Sequence, residues 1–203
     1  YILSRITKVV ICLTVNQPLH GKSYVPTPGF IAAKRCCVNV ENKDNRCFMW
    51  AVLSCLYPAE KHTERVSKYE PYTNKLEFGD MKFPITVNKI PKFESLNPEI
   101  GVNVFLHECE TNEIIPLYVS PHRDRKIVRL LLVEGPGDNF YYVWIKSMSA
   151  LVAHRTKHVG ATYVCDYCLR PCSSADALDR HLVYCSRHPP QQVHYPDPKN
   201  PKE

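Results

Sequence analysis

"GVNVFLHECETNEIIPLYVSPHRDRKIVRLLLVEGPGDNFYYVWIK", residues 101–146, decides the fold. It holds four runs rich in β-branched and aromatic residues, at 101–106, 113–119, 126–133 and 140–146. Such residues suit a pleated, half-buried surface, and the stretches "ECETNE", "SPHRDR" and "EGPGDN" between the runs are turn formers. Consecutive strands joined by short links predict an antiparallel sheet built as a meander.

Upstream lies "NKDNRCFMWAVLSCLYP", residues 42–58. From Cys47 to Tyr57 it is apolar nearly all round, lacks internal Gly or Pro, and stops at Pro58, which predicts a buried helix. Asp44 or Asn45 would cap it. The fold class is therefore α+β. Shorter elements are expected around it: a strand within residues 1–20, a strand at 36–40, short helices within 59–69 and at 89–96, and one at 147–155.

Cys47 opens the buried helix, where the helix dipole lowers a thiol pKa and nucleophilic cysteines often sit. A Cys-bearing helix followed by an antiparallel sheet is also the layout of papain-like proteases. That chemistry needs an imidazole to activate the thiol. His107 ends one strand and His122 sits in a turn, while the last strand carries Tyr141 and Tyr142. The plainer reading makes Cys47 a core residue, like Cys55 near the same helical face. The expectation is thus a protein that is not an enzyme, with Cys47 as the one candidate nucleophile.

Downstream, "YVCDYCLRPCSSADALDRHLVYCSRH" (163–188) offers Cys165, Cys168, Cys172, His181, Cys185 and His188. Cys165 and Cys168 form C-x2-C, x12 separates Cys168 from His181, and x3 separates His181 from Cys185. That is the spacing of a small ββα zinc finger with cysteine as the last ligand (C2HC). The first pair makes a knuckle. The second pair is i, i+4 and shares one helix face, so four donors converge on one Zn2+. Ser173 with Asp176 would form a capping box, and Tyr163 and Leu178 would fill the small core. Cys172 reads as a small buried hydrophobe, and His188, six residues beyond His181, falls outside the ligand window.

Fingers that read DNA bases use helix positions −1, 3 and 6, here Ser174, Ala177 and Arg180. Only Arg180 is a strong base reader, so sequence-specific recognition is not expected. Arg170, Arg180, Arg187 and the basic "HRTKH" linker suit phosphate contact instead. A finger that contacts a protein partner, or only packs on the main domain, fits the same residues.

The 203 residues carry a net charge of +6, with 44% hydrophobic and 23% charged residues. That is a globular composition, mildly basic, compatible with a polyanion partner. Seventeen prolines against seven glycines favour fixed, extended connections. Ten cysteines with this metal spacing and apolar contexts indicate a reducing compartment, nucleus or cytoplasm, rather than a disulfide framework. The apolar start is too short to span a membrane and carries Arg5 and Lys8, so no membrane association is expected. The expected organisation is an α+β domain over 1–157, the finger over 158–188 and a proline-rich flexible tail over 189–203.

The motifs "NKDNRCFMWAVLSCLYP", "RVSKYEPY", "FPITVNKIPKFESLN", "VNVF", "IIPLYVS", "YYVWIKSMSALV" and the finger occur in an order that resembles the region upstream of the protein-primed type B DNA polymerases of Maverick/Polinton-type transposons and related viruses. The resemblance spans roughly residues 20–188. It implies a transposon-derived protein whose polymerase domains would lie beyond this stretch. It also implies a His-Tyr pair in the last strand. Tyr141 stands at that His position, a departure that weighs against a working cysteine peptidase and fits an inactive remnant.

Overall fold

All four apolar runs are strands in the computed structural model, which describes residues 24–108, 111–136, 139–153, 162–185 and 187. The expected strand within 1–20, the "HRTKH" linker, His188 and the tail lie outside the described residues. In chain order the elements are α1 (Gly29–Ala32), β1 (Cys37–Val38), α2 (Cys47–Leu56), α3 (Ile90–Leu96), β2 (Ile100–Glu108), β3 (Glu113–Tyr118), β4 (Lys126–Gly135), β5 (Asn139–Ile145), α4 (Met148–Leu151), β6 (Tyr163–Val164), β7 (Pro171–Cys172) and α5 (Ala175–Cys185). Where one helix was expected within 59–69, the chain forms 3-10 turns at Val66–Lys68 and Glu70–Lys75. His62 in a left-handed conformation and Pro71 in the second turn's opening limit helix propagation there.

The sheet corrects the meander. Its order is β1-β5-β4-β2-β3, and β2 pairs with β4 in parallel, with Asn103 opposite Arg129 and Val104 opposite Leu130. The other pairs are antiparallel, so two hairpins, β2–β3 and β4–β5, join through one parallel seam. The sheet is mixed because the chain leaves edge strand β3 and crosses β2 before starting β4. The crossing is held from beneath. Asn103 Oδ1 accepts the Ser120 N–H at 2.9 Å, and Ser120 Oγ accepts the His122 N–H at 3.1 Å. Gly101 makes the room. A Cβ there would sit 3.0 Å from Ser120 Oγ and 3.2 Å from the His122 carbonyl oxygen.

Strand alternation separates the two faces of this sheet. On one, Phe48 of α2 packs edge-on against Tyr142 of β5 and Phe93 of α3, with centroids 5.3 and 5.1 Å apart. Every α2 residue from Cys47 to Ser54 is buried. On the other, Phe30 of α1 meets His107 of β2. Asp44 does not cap α2, whose N-cap is Arg46. Its carboxylate instead accepts the Arg46 N–H at 2.9 Å and the Trp50 indole N–H at 3.2 Å, which braces the first turns from the side.

β6 and β7 pair antiparallel, and α5 follows. Ser174, rather than Ser173, caps α5: its Oγ accepts the Ala177 N–H at 3.1 Å. Leu169 of this C-terminal module is buried in the main hydrophobic core, and Val164 packs against it. No helix among the described residues is long and apolar enough to cross a membrane.

Candidate metal centre

C-x2-C turns tightly because Leu169 adopts a left-handed conformation (φ 59°) and two backbone bonds close the loop. Cys165 N–H donates to the Arg170 carbonyl at 3.0 Å, and Leu169 N–H donates to the Cys165 carbonyl at 2.9 Å. Cys165 and Cys168 therefore point the same way. His181 and Cys185, one turn apart on α5, face them. The ligand atoms of Cys165, Cys168, His181 and Cys185 all lie within 4.8 Å of one another. Cys165 Sγ is 3.8 Å from Cys185 Sγ, and Cys168 Sγ is 3.2 Å from His181 Nε2. Two sulfurs on one tetrahedral zinc, with bonds of about 2.3 Å, would lie about 3.8 Å apart. This Cys3His group could hold a metal ion, and zinc is the typical occupant of such a donor set.

The electrostatics point the same way. Burial raises the thiol pKa of Cys165, and it raises that of Cys185 with help from the neighbouring Cys165. Several thiolates in one small space repel one another, and a divalent cation removes that repulsion. Cys172 stands outside the group, buried in β7 opposite Tyr163.

Sequence reasoning missed how the knuckle is held. Its two middle residues, Asp166 and Tyr167, are gripped by the main sheet. Arg129 of β4 forks onto Asp166, with Nε donating to Oδ1 at 2.7 Å and Nη2 donating to Oδ2. Asn103, its register partner on β2, donates to the Asp166 carbonyl at 3.3 Å. Arg123, in the β3–β4 crossing, lies 3.9 Å from the Tyr167 ring centroid and donates to the Cys185 carbonyl at 3.3 Å. A two-pronged guanidinium–carboxylate contact fixes direction as well as distance. The available signal was Arg129 itself, a charge inside the otherwise apolar run "IVRLLLV". A charge on a strand face that is mostly buried needs a partner.

Away from these contacts the module carries an open groove. Arg170, Pro171, Ser173, Ala177, Arg180 and Tyr184 line a groove of about 520 Å³, which also touches Cys172 and the candidate ligand His181. Neither Arg170 nor Arg180 has an acidic partner among the described residues.

Cys47 has a different setting. It is buried at the start of α2, and burial pushes its thiol up to about 11, against the opposing pull of the Tyr142 and Phe48 backbone groups. The helix-terminus lowering expected from sequence is outweighed. Tyr141, at the position where the resemblance implies an imidazole, sets its hydroxyl against the Val40 carbonyl and Asn42 Oδ1. His107 engages the Phe30 ring and pairs with Asn112 Oδ1 at 3.3 Å, and His122 lies in the crossing. The structure does not build a thiol–imidazole pair from these residues.

Comparison with models of known families, with curated proteins and with solved structures gives no match.

Proposed function

We propose that this chain is a zinc-binding, non-enzymatic protein whose C-terminal module is a C2HC finger of ββα type that contacts nucleic acid through its phosphates. The observation that carries the reading is the two-sidedness of the module. Its inner side is clamped by Arg129 and Arg123, and its groove presents Arg170 and Arg180, which have no acidic partner among the described residues. A clamped finger has one face to offer, and that face is basic. Ser174 and Ala177 sit at base-reading positions with little to read with, so the contact is to the backbone and tolerant of sequence. The transposon-type setting implied by the motif order agrees with such a role, next to a polymerase that works on nucleic acid.

The test is binding of the zinc-loaded protein to DNA and RNA across a salt series, with and without a chelator. Two or three phosphate contacts would make log affinity fall with log salt at a slope of about −2 to −3. Chelation should abolish binding. A protein that binds neither nucleic acid at low salt would overturn the reading and leave protein contact as the role of the outer face.

A second reading treats the main domain as an inactive remnant of a papain-like peptidase, with Cys47 in the nucleophile's place. The observation in its favour is that Cys47 opens a buried helix packed on the antiparallel β4–β5 pair. A thiol pushed up to about 11 with tyrosine at 141 would not be a working nucleophile. An electrophile that labels Cys47 in the folded protein faster than it labels a free thiol at pH 6 would revive the active form.

A further inference from the structure

The outer groove carries more than charge. Tyr184 is among its lining residues and is 67% exposed, and the adjacent Val183 is 53% exposed. The Tyr184 ring shares the groove with Arg170 and Arg180, neither of which has an acidic partner among the described residues. The Arg187 guanidinium lies 5.6 Å from the Tyr184 ring centroid and adds a third positive charge at the rim. The acidic residues of α5, Asp176 and Asp179, are not among the groove-lining residues.

Resting on the phosphate-contact reading above, the geometry points to single-stranded nucleic acid as the groove's ligand, with Arg170 and Arg180 on the phosphates and an unpaired base stacked on the Tyr184 ring. Three features favour a single strand over a duplex. An exposed ring offers a π-face that any unstacked base can use, whereas a paired base must first leave its stack, which costs a few kcal/mol. The helix positions that would read a major groove are poorly equipped. Ala177 has no hydrogen-bonding side chain, and the Ser174 hydroxyl already accepts the Ala177 N–H as the helix cap. Alternating cations and an aromatic ring also make the composition of a single-strand platform, in which charge tracks the backbone and stacking holds the bases. DNA and RNA single strands share this chemistry.

The experiment is fluorescence anisotropy with the zinc-loaded full chain and labelled oligo(dT), oligo(rU) and a DNA duplex of equal length. Tyr184→Ala and Tyr184→Phe are compared with the parent. Zinc content and thermal melting establish that both variants fold, as expected for an exposed position. The expected result is tighter binding to either single strand than to duplex. Tyr184→Ala should lose about tenfold on single strands, nothing on duplex, and Tyr184→Phe should keep parental affinity. A preference between oligo(dT) and oligo(rU) would name the source of the strand. Equal binding to duplex and single strands, unchanged in Tyr184→Ala, would overturn the single-strand assignment while leaving phosphate contact in place. Loss of all binding in the parent protein would overturn both readings.

Discussion

Cys47 and the Cys165–Cys168–Cys185 group are two settings for cysteine sulfur in one chain. Burial raises the thiol pKa at Cys47, Cys165 and Cys185. Around Cys47 the neighbours are Phe48, Tyr142 and a helix turn, so the neutral thiol is the stable form and it packs as a small hydrophobe. Around Cys165 the neighbours are two more thiols and an imidazole, a set that favours a cation over protons. The same residue type packs as a core side chain in one place and belongs to a group that could hold a metal ion in the other, because of what converges on it.

The largest effect should come from breaking the group. Cys168→Ser is expected to drop bound zinc from one equivalent to none, measured by mass spectrometry under native conditions. It should also unfold β6, β7 and α5, because ligand binding in such small modules supplies most of their folding free energy. Loss of zinc without any change in protection of the α5 amides would show that the sheet holds the module by itself.

The next effect concerns pH at Cys47. A folded pKa of about 11 lies above the ordinary thiol value of 9.0, so the folded state holds this proton more tightly. The stability it contributes is complete below pH 9 and is lost as pH rises toward 11, by about 2–3 kcal/mol. Denaturant titrations of parent and Cys47→Ala across pH 8–11 should therefore diverge most at the low end and converge at the high end. Parallel curves would mean the thiol reaches water.

Arg129→Ala should cost about 1–3 kcal/mol. The ion pair is partly shielded, with Asp166 at 19% and Arg129 at 37% side-chain exposure, so the effect falls between a surface and a buried pair. A double-mutant cycle with Asp166→Ala isolates the coupling. A coupling near zero would detach the module's position from the sheet.

The smallest effect is expected beside Cys47. The Tyr142 hydroxyl is buried with no partner among the described residues, so Tyr142→Phe removes an unsatisfied group and should leave stability unchanged or raise it by about 1 kcal/mol. A loss beyond that would reveal a partner for the hydroxyl.

Much of the secondary structure was legible. Each of the four strand runs within 101–146 kept its place to within a few residues, and α2 ran as expected from Cys47 until just before Pro58. The convergence of Cys165, Cys168, His181 and Cys185 was legible too, since x2 and x3 spacings fix geometry within a turn. The cap of α5 was misplaced by one residue, because Ser173 and Ser174 are equally good formers and only the helix start distinguishes them.

By itself, then, the sequence determined what depends on neighbours along the chain: the strands, the buried helix, the knuckle and the i, i+4 ligand pair. Those follow from local periodicity and short spacings. The tertiary structure decided what depends on contacts between distant residues. It set β4 parallel to β2, because the β3–β4 link crosses over Gly101. It raised the Cys47 thiol, because α2 lies deep in the core. It fixed which face of the C-terminal module is open, because Arg129 and Asp166, thirty-seven residues apart, meet across its inner side.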